Sequence, residues 1–388
     1  MLTSPVYLDH AATTPVRSEV AEAMLPFLTG STFGNPSSVH AFGRAARVAV
    51  EHARREIASA LGCEPGAVVF TSGGTEADNL AVIGSGLSAR ARGARAVVAV
   101  TAIEHKAVLA PGHALEGLGC DCELLTVDDR GVIDLSVLDQ VLARRPALVS
   151  VMWVNNEIGV VQPVAEIASR CRQTGVPLHT DGVQAVGKLE VDLRALPGMM
   201  LTLSGHKLGA PKGVGALIVP DAKAVSPLLH GGGQQHGLRP GTENVAFAVA
   251  LGRAVHLAVA EREQEAARLE RLRDRLATAL LAAVPDAVVL GANAPRAPQI
   301  LALAVPGAES QLLVMLLDLA GVAASAGSAC SSGTAEPSHV LSAMGVSREL
   351  ALGFLRLSVG HTSSDADVER AVPAFVNAVS RARKVARV

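Results

Sequence analysis

Seven short apolar runs, separated by polar, glycine-containing turns and amphipathic stretches, constrain the fold of this chain more than any other feature. They occupy residues 68–71, 96–101, 123–127, 148–154, 176–181, 200–204 and 215–219. Most are rich in Val or Leu and lack polar alternation, as expected of strands covered on both faces. Amphipathic segments such as 39–61 and 164–174 lie between them. The pattern predicts an α/β fold, a mostly parallel seven-stranded sheet sandwiched by helices. Ligands of such sheets bind at the carboxyl ends of the strands. The polar residues that follow each run are therefore the first place to look for chemistry.

From about residue 246 the character changes. A long charged helix is predicted over 254–283, followed by short strands at 288–290 and 301–305 and a helix at 310–319. A loop of small residues, a strand at 354–358 and a terminal helix from about Ser364 complete a smaller α+β unit. The 388 residues suffice for two domains and a sizeable core. Aromatics make up only 2%, so that core must be built from Ala, Val and Leu.

A formal net charge of −2 gives no general attraction to nucleic acid or acidic membranes. No apolar run reaches the length of a membrane span, and the N-terminus lacks a basic region followed by an apolar stretch. A soluble, cytoplasmic protein is expected. Five cysteines without a C-x-x-C pair indicate neither a disulfide framework nor a zinc site. Cys120 and Cys122 would share one face of a strand and could bind a metal, but read better as small buried hydrophobes.

The run 202–213, Thr-Leu-Ser-Gly-His-Lys-Leu-Gly-Ala-Pro-Lys-Gly, narrows the chemistry most. It places Lys207 in a turn after an apolar run, among hydroxyls, a histidine and glycines. A desolvated lysine helped by neighbouring donors can lose its proton and attack an aldehyde. Pyridoxal phosphate is the common cofactor needing both a Schiff-base lysine and a phosphate cradle. A solvated loop lysine is the alternative. Residues 69–78, Val-Phe-Thr-Ser-Gly-Gly-Thr-Glu-Ala-Asp, run from a strand through Gly73 and Gly74 into a helix. Such a helix N-terminus can hold an anion, with Thr75 adding a hydroxyl or serving as an ordinary N-cap.

Asp181 ends a buried run. It can hold a pyridinium nitrogen protonated, with Gln184 three residues on reaching the ring hydroxyl, or it can cap the next helix. His105 could stack on a planar cofactor and move protons, or be structural. Asn156, in the polar turn 154–159, is a further partner for the ring hydroxyl. Cys330 lies in 325–334, Ser-Ala-Gly-Ser-Ala-Cys-Ser-Ser-Gly-Thr, where the small residues predict a mobile loop and a nucleophile able to deliver a group elsewhere. A small buried cysteine is the alternative. Arg356 interrupts an apolar strand and needs an anion. Water or a bound anion, later a substrate carboxylate, is the expected partner; a structural Asp or Glu is the other.

With these residues assembled, the chain resembles the cysteine desulfurases of the class V group of pyridoxal phosphate enzymes. The matching runs are 7–15, 33–38, 71–79, Glu104-His105, 155–159, 179–188, 204–215, 231–244, Gly327-Ser-Ala-Cys330 and 356–360. The resemblance implies the fold type I architecture, with a large domain over 14–255. Residues 1–13 and 256–388 would form the small domain that carries the cysteine loop. It implies Lys207 as the Schiff-base lysine, His105 as the stacking proton relay and Cys330 as the persulfide carrier.

The same resemblance implies Gly74, Thr75, Ser204 and His206 around the phosphate, with Thr242 reaching it in the partner of an obligatory homodimer. Asp181, Asn156 and Gln184 hold the ring. Asn35 and Arg356 hold the carboxylate of L-cysteine. Sulfur would leave for acceptor proteins, a cluster scaffold or a tRNA-thiolation enzyme, with Cys330 also a transient iron–sulfur ligand. Selenocysteine lyase activity, an aminotransferase of the same fold and a non-catalytic cofactor-binding regulator or scaffold are the rival readings. Gly182, where alanine is usual, and Gly209-Ala210 depart from the family pattern, with small geometric effects expected. The short C-terminus puts the usual scaffold partnership in doubt.

Overall fold

The computed structural model describes residues 5–30, 32–93, 96–327 and 337–385. Twelve strands run in chain order among these residues. They are β1 (Val6–Tyr7), β2 (Val68–Thr71), β3 (Val97–Thr101), β4 (Asp121–Leu125), β5 (Leu148–Ser150) and β6 (Leu178–Asp181), then β7 (Met200–Ser204), β8 (Gly215–Ile218), β9 (Val288–Val289), β10 (Ile300–Ala304), β11 (Val322–Ala323) and β12 (Phe354–Ser358). The seven apolar runs form one sheet in the order β2-β8-β7-β6-β5-β3-β4, in which only β8 is antiparallel to its neighbours. A hydrophobic cluster covers each face, so β2, β5, β6, β7 and β8 are buried along their length. That is why their sequences do not alternate.

Several strands are shorter than their apolar runs, β5 most of all at Leu148–Ser150, and two other boundaries differ for reasons the structure shows. β4 starts two residues early, because the Asp121 N–H bonds the Ala96 carbonyl and sets Val97 against Asp121. The long charged helix is two helices, Val245–Ala260 and Arg262–Ala283. The first packs on the helix Ala41–Leu61 beside the large sheet, and the second on the terminal helix Asp365–Val385. Glu261 sits at the change of direction, held by two bonds from Arg17 (2.8 and 2.9 Å). With neither Gly nor Pro at the junction, the local sequence carries no sign of the break.

The Ala41–Leu61 helix shows how sequence makes an element here. His40 caps its start by accepting the Gly43 N–H, and Gly62, at φ +72°, ends it in the left-handed conformation. Val50, Ala53, Ile57 and Leu61, three or four apart, form its buried face. The antiparallel sheet β12-β10-β9 belongs to a separate cluster that also takes in Val6 and Leu8. β1 pairs in parallel with β11, so the N-terminal residues join the C-terminal part of the chain.

Candidate active site

Because β2, β3, β5, β6 and β7 are mutually parallel, their carboxyl ends open onto one cavity of about 640 Å³. After β2 the chain passes Ser72 and Gly73 into the helix Gly74–Ala91. Gly73 is its N-cap, Thr75 is already inside the first turn, and no side chain caps the start. A Cβ on Gly74 would lie 3.1 Å from Val183 and 3.3 Å from Ser204, so a bare glycine is what lets this turn close on its neighbours. Thr75, Ser204 and His206 line the same cavity. Thr13 Oγ1 lies 3.1 Å from His206 Nδ1, and Thr14 Oγ1 donates to the His206 carbonyl (2.8 Å).

β7 runs into a single 3₁₀ turn, Gly205–Lys207, which delivers Lys207 to the cavity. Its Nζ donates to the carbonyls of Ala11 and, at 2.7 Å, Ala12. Burial lowers its pKa to about 8, helped by the Arg356 guanidinium and opposed by Asp181 and Asp9. This is the partly neutral amine that aldehyde capture needs. Asp181, 6% exposed at the end of β6, accepts the Val183 N–H at 2.9 Å and also lines the cavity. Burial raises its pKa, while the Val183 N–H, His105 and Lys207 pull it back.

His105 caps the helix Lys106–Gly117 by accepting the Ala107 N–H on Nδ1 (3.1 Å), which leaves Nε2 as the protonated nitrogen. Burial lowers its pKa. His105 therefore caps a helix, whereas the Asp181 bond to the Val183 N–H closes a turn with no helix after it; both residues line the cavity. Asn156 lines the cavity too, as does Gln184, whose Nε2 donates to the Ala11 carbonyl (2.9 Å) already used by Lys207.

Arg356 corrects an expectation. Where water or a bound anion was expected, the structure places a carboxylate of the chain itself, the commoner alternative, and a main-chain carbonyl. Nη2 donates to Asp9 Oδ1 (2.9 Å) and Nη1 to the Asn156 carbonyl (2.8 Å). The β1–β11 pairing and a bridge between Asp9 and Ser358 bring Asp9 there across 347 residues of sequence. No local pattern could show it.

Asn35 and Thr242 do not line this cavity. Asn35 is exposed and accepts the Ser37 N–H (2.9 Å). Thr242, also exposed, borders a separate hollow of about 230 Å³ that shares Ser72, Gly213 and Val214 with the main one. Cys330 lies outside the described residues, but Ser325 and Gly327, on the N-terminal side of its segment, line the cavity. Cys120 is buried in the core and Cys122 half-buried, where burial pushes its thiol up to about 11. Among the described residues no group of three or more His, Cys, Asp and Glu is placed to hold a metal. Nor is any described helix long and apolar enough to cross a membrane.

The family departures have local causes. A Cβ on Gly182 would meet Leu201 at 2.5 Å, and Gly209 sits at φ +84° against Arg17. Two buried carboxylates, one of them lining the cavity, were given no role in the sequence reading. Asp78, 1% exposed, follows Gly74 by one helical turn and lines the cavity, while burial and Asp181 hold its pKa well up. Glu104, fully buried, accepts from Thr101 Oγ1 and the Met152 N–H, both at 2.6 Å. The 74/78 spacing on a buried helix face was the available signal for the first. His179 lies beneath, its ring nitrogens on Ser150 Oγ (2.8 Å) and Thr202 Oγ1 (3.0 Å), with burial driving its pKa to about 3.

An uncapped helix start, hydroxyl and imidazole donors, a partly neutral lysine and a buried carboxylate are what a phosphorylated pyridine aldehyde requires, and they ring one cavity. The residues fit pyridoxal phosphate. The aminotransferase class-V family model matches residues 6–371. An IscS-like cysteine desulfurase of Mycobacterium tuberculosis is 44% identical over 385 residues, 98% of each chain. A solved NifS-like protein superposes with a TM-score of 0.90 at 33% identity, over 97% of this chain and 100% of its own. A structure of SspA in complex with cysteine follows at TM-score 0.79 and 34% identity, over 91% of this chain and 98% of that one. This chain belongs to the class-V aminotransferase family, whose members use pyridoxal phosphate.

Proposed function

We propose that the protein is an L-cysteine desulfurase that releases L-alanine and passes sulfur on as a persulfide of Cys330. One observation carries the reading: Lys207, Asp181 and Arg356 line a single cavity together with Ser325 and Gly327, which lead into the Cys330 segment. The names of the relatives and the cysteine complex of a 34%-identical chain support the substrate.

Pyridoxal phosphate bound through Lys207 supplies an electron sink that makes the α-proton of an amino acid acidic and its β-substituent a leaving group. The protein supplies position and protons. Gly74, Thr75, Ser204 and His206 seat the phosphate, joined by Thr242 of the partner subunit in a homodimer. Asp181 keeps a proton on the ring nitrogen, and Asn156 and Gln184 support the ring hydroxyl. Arg356 and Asn35 orient the substrate carboxylate. Lys207, an amine of depressed pKa, would move the α-proton, and His105, protonated on Nε2, would relay protons in the same cavity. The Cys330 thiolate attacks the substrate sulfur; an S–S bond forms as the Cβ–S bond breaks, and its electron pair stays on the three-carbon fragment that becomes alanine.

The persulfide then serves acceptor proteins, a cluster scaffold or a tRNA-thiolation enzyme, in the cytoplasm, with Cys330 a transient iron–sulfur ligand in the former case. No nucleic acid or membrane is a direct partner. We divide the chain into a large domain, 14–255, and a small domain, 1–13 with 256–388; the β1–β11 pairing supports the assignment of the N-terminus. The test is Cys330→Ala. The variant should load cofactor and change its absorbance with cysteine, yet lose nearly all alanine and sulfide release. Alanine formed at the wild-type rate would remove Cys330 from the reaction.

A further inference from the structure

The geometry points to Asp9 as a positioning residue that stands in for the substrate carboxylate on Arg356 and must give way when substrate binds. This rests on Arg356 being the carboxylate anchor. Of the five N–H donors of the buried guanidinium, one on Nη2 goes to Asp9 Oδ1 at 2.9 Å and one on Nη1 to the Asn156 carbonyl at 2.8 Å, and Nε has no partner among the described residues. A planar fork grips a carboxylate through two parallel N–H donors. Either grip, Nε with Nη2 or Nη1 with Nη2, uses the nitrogen that holds Asp9, so an incoming carboxylate takes that donor from Asp9 or lies beside its negative charge.

Mobility decides which partner yields. The Asn156 carbonyl is main chain in a tight turn, closed by the Gly159 N–H bonding the Asn155 carbonyl and flanked by the Val154–Val161 bridge. The main chain of Asp9 is equally fixed, its carbonyl accepting from Tyr7 Oη, Ala12 N and Thr13 N. Its side chain is not. Among the described residues the Asp9 carboxylate makes no other hydrogen bond, and its side chain is 21% exposed against 7% for Arg356. Rotating it toward solvent frees Nη2 while the arginine stays where Asn156 holds it. The resident carboxylate neutralises Arg356 in the free enzyme, which spares the fold an unpaired buried charge, and lowers the affinity of the anchor for any anion.

A partner that only props up Arg356 and one that competes with substrate predict opposite signs. The holoenzyme is titrated calorimetrically with 3-mercaptopropionate, which has the carboxylate and thiol of cysteine but no amine, and with cysteamine, which lacks the carboxylate. Asp9→Asn should bind 3-mercaptopropionate about five- to tenfold more tightly, since a neutral amide no longer competes for a charge-assisted bond. Cysteamine binding should stay unchanged. The variant should melt below wild type alone and recover more of the difference with saturating 3-mercaptopropionate. Asp9→Glu, which restores the charge, should return to wild-type affinity, and Asp9→Ser offers a second neutral variant if the amide does not fold. Equal or weaker 3-mercaptopropionate binding in the neutral variants overturns the proposal. If Arg356→Lys binds the probe as tightly as wild type, the anchor reading itself fails instead.

Discussion

Burial of Lys207 has a kinetic consequence that cofactor capture by the apo-protein reads directly. Its pKa falls from 10.5 to about 8, mainly by desolvation and then by the Arg356 guanidinium. At about pH 7.5 roughly a quarter of such a lysine is free amine, against about one part in a thousand for a solvated one, a gain of about 200-fold. Lower basicity also lowers nucleophilicity. A Brønsted slope of about 0.4–0.5, as found for thiols, takes back about tenfold over this drop. The net advantage over a solvated lysine is therefore about twentyfold.

The assay mixes apo-protein with pyridoxal phosphate in a stopped-flow instrument from about pH 6 to 10 and follows the growing cofactor absorbance. Rates are normalised by the rate constant of the neutral form of a simple primary amine in the same buffers, which cancels the ionisations of the cofactor. The logarithm of the rate should climb by one per pH unit and level off near pH 8. In Asp181→Asn the bend should move to lower pH, because the Asp181 carboxylate holds the Lys207 pKa up. A rate still climbing at pH 10 would refute the desolvation argument and return Lys207 to the status of a solvated loop residue.

Two further predictions concern buried polar groups. Glu104→Gln keeps the acceptor for Thr101 and Met152 but removes a carboxyl whose pKa is pushed from 4.5 to about 8 by burial. Between those values the folded chain holds a proton that the unfolded chain has lost, so wild-type stability falls as pH rises through the window. Melting curves should coincide below about pH 4.5 and separate by at least a few degrees in favour of the variant near pH 9; equal slopes would show that Glu104 ionises normally. Gly360→Ala would place a Cβ 2.2 Å from Nδ1 of the buried His10. A loss of about 1–3 kcal/mol in denaturant unfolding is expected, and an unchanged midpoint would mean that His10 moves aside freely.

The sequence by itself determined the elements and their chemical kinds. Seven unalternating apolar runs specify strands buried on both faces, and in a parallel sheet every residue that follows such a run is delivered to one edge. Lys207, Asp181, His105, Ser204 and the Gly73-Gly74 turn were legible for that reason, each lying at or within a few residues of a strand's carboxyl end. Tertiary structure decided whatever depends on pairing between distant segments. Asp9 meets Arg356 only because β1 pairs with β11, and Ala11 meets Lys207 by the same route. The break at Glu261 follows from two helices packing on different partners rather than from any breaker residue. Local pattern records how a segment buries its own side chains; which charge faces which is set by the register of strands hundreds of residues apart, and that is a property of the assembled fold.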